Sequence, residues 1–99
     1  MTIAAISTAK SAAGIGIVRL SGEDAISLAD GFFKSKQDLT DPANDRKLLY
    51  GHMVSDGEVV DEVLAVAFRA PFSYTGEDMV EIQAHGSRVG LERILNCFI

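Results

Sequence analysis

The sequence predicts an α+β fold: a mainly antiparallel sheet of about five strands carrying two helices. Three observations predict it. Two runs rich in β-branched residues, 48–54 and 59–68, flank Asp56-Gly57, and glycine there accepts the positive φ of a tight hairpin. Two other segments repeat apolar residues at helical spacing. The elements then follow one another as β-β-α-β-β-β-α, an order that suits a sheet with helices on one face. At 99 residues the chain makes one domain with a modest core.

Each element has its own local cause. Residues 2–6 alternate well enough for a short strand, and residues 7–13, small and polar, read as a loop. Gly14-Ile15-Gly16-Ile17-Val18-Arg19-Leu20 is a second strand entered through two glycines. Ser21 is placed to cap a helix, with Asp24 three residues on in the capping-box position and Glu23 beside it at the positive end of the dipole. Ile26, Ala29 and Phe33, flanked by Ala25, Leu28 and Phe32, make its inward stripe. Residues 34–44 read as a polar connection with no element signature. In the run 59–68, Val60, Glu62, Leu64, Val66 and Phe68 share one face, and Val59, Asp61, Val63, Ala65 and Ala67 the other. Both faces turn apolar towards its end, which predicts a central strand. After a loop at 70–76, Met79-Val80-Glu81-Ile82-Gln83 is a further strand. The last helix carries Leu91, Ile94, Leu95 and Phe98 at i, i+3, i+4 and i+7. Its stripe is at full strength at Ile99, with no closing glycine, proline or cationic turn, so the sequence predicts a domain cut within its last helix.

Composition narrows the function classes. No apolar run reaches the length of a membrane span, and the first residues lack the basic and long apolar regions of a signal peptide. One cysteine, Cys97, excludes an internal disulfide framework and fits a reducing compartment, so the cytoplasm is expected. The net charge of -5, with 9 Lys and Arg against 14 Asp and Glu, argues against this domain gripping nucleic acid alone.

Few residues suggest chemistry. Gly14 and Gly16 lack the third glycine of a dinucleotide fingerprint and lead into a strand, so a close backbone approach is the better reading. His52, His85 and Cys97 have no metal-site spacing; His85-Gly86 reads as a turn or cap before the last helix, and Cys97 as a small core or interface residue. Glu77 and Asp78 read as solvated, and Tyr74 could line a pocket, pack on a partner or do neither. Arg19 and Glu81 stand out, each inside a strand among apolar neighbours. Either they point to solvent or pair with each other, as charged residues usually do, or they form a ligand pocket. In a pocket, the carboxylate accepts two parallel N–H bonds from a planar heterocycle and the arginine holds an oxygen of the same ligand.

At these residues a resemblance enters. Gly14-Ile15-Gly16-Ile17-Val18-Arg19-Leu20-Ser21-Gly22 resembles the GGIGIVRISG signature of the MnmE (TrmE) family of tRNA-modification GTPases. Tyr50-Gly51-His52, the Asp56-Gly57 hairpin and Asp61-Glu62-Val63-Leu64 resemble its next segment. The run from Pro71 to Gly86 is similar to its P-x-S-[YF]-T-G-E-D-x-x-E-[IL]-x-x-H-G block. Three matches in order, from Thr2 to the last helix, make the resemblance specific.

The resemblance implies that residues 1–99 are a folate-binding and dimerisation domain, incomplete at its C-terminus, like folate-dependent aminomethyltransferases. It also implies a homodimer that works with the flavoprotein MnmG on the wobble uridine of certain tRNAs, giving a 5-carboxymethylaminomethyl-type product. The one-carbon donor is 5-formyl- or 5,10-methylene-tetrahydrofolate. Folate contacts carry over to Arg19 and Glu81, and the third, a lysine, falls beyond Ile99. GTP, magnesium and potassium belong to a GTPase domain outside this chain, so the chain alone carries no catalysis. One stretch departs from the family: Thr8-Ala9-Lys10-Ser11-Ala12-Ala13-Gly14 stands where the pattern is T-P-x-G-x-G-G, losing a proline and two glycines. That loss motivates an alternative, an interaction module without folate binding. An independent small enzyme is a poor third reading, because the sequence offers no nucleophile–base pair.

Overall fold

A computed structural model of the chain describes residues 2–6, 15–85 and 88–99. Its elements are β1 (Ile3–Ile6), β2 (Ile15–Ser21), α1 (Ala25–Phe32), β3 (Phe33–Ser35), a 3₁₀ turn (Pro42–Asn44), β4 (Leu49–Ser55), β5 (Glu58–Phe68), β6 (Met79–His85) and α2 (Arg88–Asn96). The strands form one sheet in the order β1-β2-β6-β5-β4-β3, and all neighbours are antiparallel. The α+β class stands, with a sheet of six strands instead of about five.

Both helices cover the same face. α1 lies over β2, β3, β4 and β6, and α2 over β1, β2, β5 and β6. Alternate residues of the strands, Val18 and Leu20, Val80 and Ile82, Val63 and Ala65, meet Ile26 and Ala29 of α1 and Leu91 and Ile94 of α2 in the core. Leu91 and Ile94 are almost completely buried. Burial of side chains of this size contributes about 1.5–3 kcal/mol each. Phe32 and Phe98 meet edge-to-face at 5.3 Å and tie the end of α1 to the turn after α2. In α1, Leu28 departs from the expected stripe and is exposed, while Phe33 is buried as a strand residue.

Two glycines let elements approach closely. A Cβ on Gly16 would fall 2.4 Å from Leu91 Cδ1, so α2 sits directly on the β2 backbone. That is the close approach the sequence suggests for the glycine pair; Gly14, like the loop 7–13 and the whole departure from the family pattern, lies outside the described residues. A Cβ on Gly51 would fall 2.3 Å from the Lys34 carbonyl oxygen and 2.7 Å from the Phe33 ring. The hairpin is as expected: Asp56 and Gly57 have φ of 53° and 77°, the paired positive values of a type I′ turn. β5 is central, between β6 and β4.

Several expectations need correction. Ser21 does not cap α1. It is the last residue of β2, and α1 begins at Ala25 with Asp24 as N-cap and no side-chain capping bond. The Asp24 N–H is bonded instead by Thr2 Oγ1 at 3.1 Å. The connection 34–44 is not featureless: β3 pairs with β4, Leu39 is buried in the core, and Asp38 Oδ1 accepts from Thr40 N at 2.9 Å. Those Thr40 hydrogen bonds, side-chain first, lower the Asp38 carboxyl pKa. Arg69 fastens this segment by donating from Nη2 to the Thr40 carbonyl oxygen, and pairs with Asp45 just after it, with Nε 3.0 Å from Oδ2. α2 ends at Asn96, earlier than its apolar stripe suggests, with turn bonds from Cys97 N to Ile94 O and Phe98 N to Leu95 O.

Candidate functional site

The face away from the helices holds the two charged residues singled out by the sequence. β2 and β6 are neighbours in a register that sets Arg19 directly opposite Glu81. The strand period of two then puts both side chains on the same face. Arg19 Nη2 donates to Glu81 Oε1 at 2.6 Å and Nε donates to the same oxygen at 3.1 Å. The pairing reading is therefore what the chain adopts. The pair is largely but not wholly withdrawn from water, with side-chain exposures of 30% for Arg19 and 16% for Glu81.

Its surroundings are apolar on one side and polar on the other. Val66 lies across β5 from Glu81, and Met79 is two residues earlier on β6; both are buried. From the other side comes the loop between β5 and β6, residues 69–78. Hydrogen bonds tether it at both ends. Ala70 N donates to Asp78 Oδ1 at 2.8 Å, Gly22 N donates to Asp78 O at 2.9 Å, and the Ser73 hydroxyl bonds the Glu77 carbonyl. The Ser21 and Thr75 hydroxyls are 2.8 Å apart, and Ser21 also donates to Glu77 Oε2 at 3.4 Å. This loop hangs Tyr74 over Arg19, with the guanidinium carbon 5.4 Å from the ring centroid.

Asp78, expected in solvent, is thus a loop fastener, and Ser21 serves the loop instead of the helix. Tyr74, left open by the sequence, joins the site. A serine at the end of one strand and a T-G-E-D run ahead of its neighbour strand are the signal for this junction, visible only once the two strands are known to pair.

The remaining candidates lie elsewhere. His85 ends β6, and its Nδ1 is 3.1 Å from Asp61 Oδ1; it belongs to the sheet, and Gly86 beside it lies outside the described residues. His52 packs edge-to-face on Tyr50 at 5.6 Å. Tyr50 donates to Glu62 Oε2 at 2.6 Å, and that bond raises its phenol pKa. A cleft of about 290 Å³ runs along this part of the open face between Ile15, Leu64, Gln83, Tyr50, Glu62 and His85. Its lining residue Gln83 lies two residues along β6 from Glu81, on the same face of the sheet. Cys97 is half-buried beside Arg93, its Sγ 3.5 Å from the Arg93 carbonyl oxygen, and burial pushes its thiol pKa up. Among the described residues no helix is long and apolar enough to cross a membrane.

The family model described as GTP-binding protein TrmE N-terminus matches residues 2–99. A tRNA modification GTPase MnmE of Finegoldia magna is 48% identical over 97 residues, covering 98% of this chain and 21% of the relative. The protein of the same description from Listeria welshimeri is 46% identical over 98 residues, covering 99% and 21%, and that of Clostridioides difficile is 43% identical over 99 residues, covering 99% and 22%. The chain therefore spans about a fifth of the length of the curated relatives it matches. With the match running unbroken through β2, the 69–78 loop and β6, the chain belongs to the family of the TrmE (MnmE) N-terminus.

Proposed function

We propose that this chain is the tetrahydrofolate-binding and dimerisation domain of a GTPase that modifies tRNA. In that reading the whole protein acts in the cytoplasm with the flavoprotein MnmG. It installs a 5-carboxymethylaminomethyl-type group on the wobble uridine of certain tRNAs. GTP, magnesium and potassium are assigned to a domain outside residues 1–99.

The observation that carries the reading is Glu81 beside Arg19 on an open sheet face, next to an apolar floor and a tethered loop. The donor set fits a reduced pterin. Such a ring presents an N–H and an amino group side by side, and a carboxylate accepts both. Val66 and Met79 lower the local polarity, which strengthens those bonds relative to water. Arg19, with its fixed fork of donors, suits an oxygen of the same ligand. Bound there, the folate supplies a one-carbon unit, and this chain's residues orient it.

Calorimetry of the full-length protein with 5-formyltetrahydrofolate tests the reading. Glu81→Ala removes a charge-assisted contact and is expected to lower affinity by about 1.5–3 kcal/mol. Unchanged affinity in that variant would falsify the pterin contact. A dimer stable in sedimentation that ignores folate altogether would favour the interaction module.

A further inference from the structure

Tyr74 is 86% exposed although the loop that carries it is tied down at both ends. An aromatic side chain left in water forgoes the burial that is its usual contribution to stability. Its ring contact is with Arg19, 5.4 Å from the centroid, a weak attraction at an exposed position. One face of the ring is thus set against the site, and the residue does little for the fold.

Arg19 uses Nε and Nη2 on a single carboxylate oxygen, Glu81 Oε1. A planar heterocycle with two adjacent N–H donors needs both oxygens of that carboxylate. It can dock on Glu81 only after Arg19 has released Oε1. The guanidinium then leaves its place beneath Tyr74, and a flat heterocycle on Glu81 comes within reach of the same ring. Guanidinium groups and heterocyclic bases both stack on aromatic rings, the bases more strongly.

We infer that Tyr74 is a specificity-determining residue of this site, stacking on Arg19 in the free protein and on the ligand's pyrimidinone ring after exchange. Arg19 is the resident that the ligand displaces, and the freed guanidinium turns to the ligand's own oxygen. The inference rests on the folate reading and adds to it a residue and an order of events.

Calorimetry of the full-length protein with 5-formyltetrahydrofolate, comparing wild type with Tyr74→Ala and Tyr74→Phe, tests it. Tyr74→Ala is expected to bind about tenfold more weakly, the loss of one stacked ring offset slightly by a freer Arg19. Tyr74→Phe stays within about threefold of wild type, because the ring face acts and the hydroxyl does not. Equal melting temperatures of the three proteins confirm that the exposed side chain was not structural. A loss under about threefold in Tyr74→Ala overturns the stacking role and leaves that of Glu81 standing. Equal losses in the Ala and Phe variants also overturn it, by pointing to the hydroxyl. A wild-type protein that does not bind the folate overturns the folate reading, and this inference with it.

Discussion

Cys97 shows how one side chain's surroundings set its chemistry. Its thiol pKa is raised from 9.0, chiefly because burial penalises the thiolate. A hydrogen bond from Ser55 and the charge of Arg93 pull the other way and do not outweigh it. The sign follows directly: a group whose folded pKa is raised stays protonated in the fold where the unfolded chain has ionised, so folding loses stability as pH climbs past 9.0. At neutral pH the thiol is therefore slow, because the thiolate is the nucleophile. Alkylation by iodoacetamide is expected to run several-fold below that of the urea-unfolded chain at pH 8, and to rise steeply above pH 9. A native rate equal to the unfolded one at pH 8 would show that burial has no hold on this thiol. From the sequence Cys97 reads as a small core or interface residue; the fold leaves it half-buried outside the core, beside Ser55 and Arg93, because α2 ends at Asn96 and its apolar stripe does not carry Cys97 inward. Arg19 and Glu81 differ. The sequence narrows them to pairing or ligand binding without deciding, since the choice turns on which strand lies beside β2, and the two residues are 62 positions apart.

At the scale of elements, the two glycines of α1 and β4 behave oppositely. Gly31 lies in α1 with nothing within 4 Å of where its Cβ would be. Alanine there gains helix propensity at no steric cost, so Gly31→Ala is expected to stabilise the domain by about 0.5–1 kcal/mol. Gly51 is pressed between the Lys34 carbonyl and the Phe33 ring, and a backbone oxygen at 2.3 Å cannot rotate away. Gly51→Ala must push β3 off β4 and is expected to cost about 1–3 kcal/mol. Urea melts of the two variants measure both, and equal signs would contradict the packing described. Local chemistry explains which elements the sequence discloses. The Asp56-Gly57 turn needs only its own two φ angles, and α2 only its own stripe. The capping box at Ser21 misleads because the serine is claimed by Thr75, 54 residues away. β3 is hidden because Phe33-Lys34-Ser35 has no strand signature of its own; it exists because Gly51 leaves room beside β4 for Phe33.

For the whole molecule, the order β1-β2-β6-β5-β4-β3 sets where the domain is strongest. The three strands β2, β6 and β5 are consecutive in space although β2 lies far from the other two in sequence, and every one has a neighbour on both sides. Their core residues Val18, Leu20, Val80, Ile82 and Ala65 are buried under two helices. Breaking any of these ladders exposes that shared core, so their amides should open only with global unfolding. Among the described residues, β1 and β3 are edges of 4 and 3 residues, each paired with one neighbouring strand. Short edge strands hold few ladder bonds and bury little, so they open locally at lower cost. Arg19 and Glu81 sit on the strong strands, which hold their backbones opposite each other, while Tyr74 reaches Arg19 from the 69–78 loop. Native-state hydrogen exchange in increasing urea is the measurement. The amides of Leu20, Val80 and Ile82 are expected to share one opening free energy with a full urea slope. Those of Ala5 and Lys34 should exchange at lower free energy with almost no slope. Edge amides as protected as Ile82 would mean that the sheet opens as one unit, and that the site's rigidity does not come from its central position.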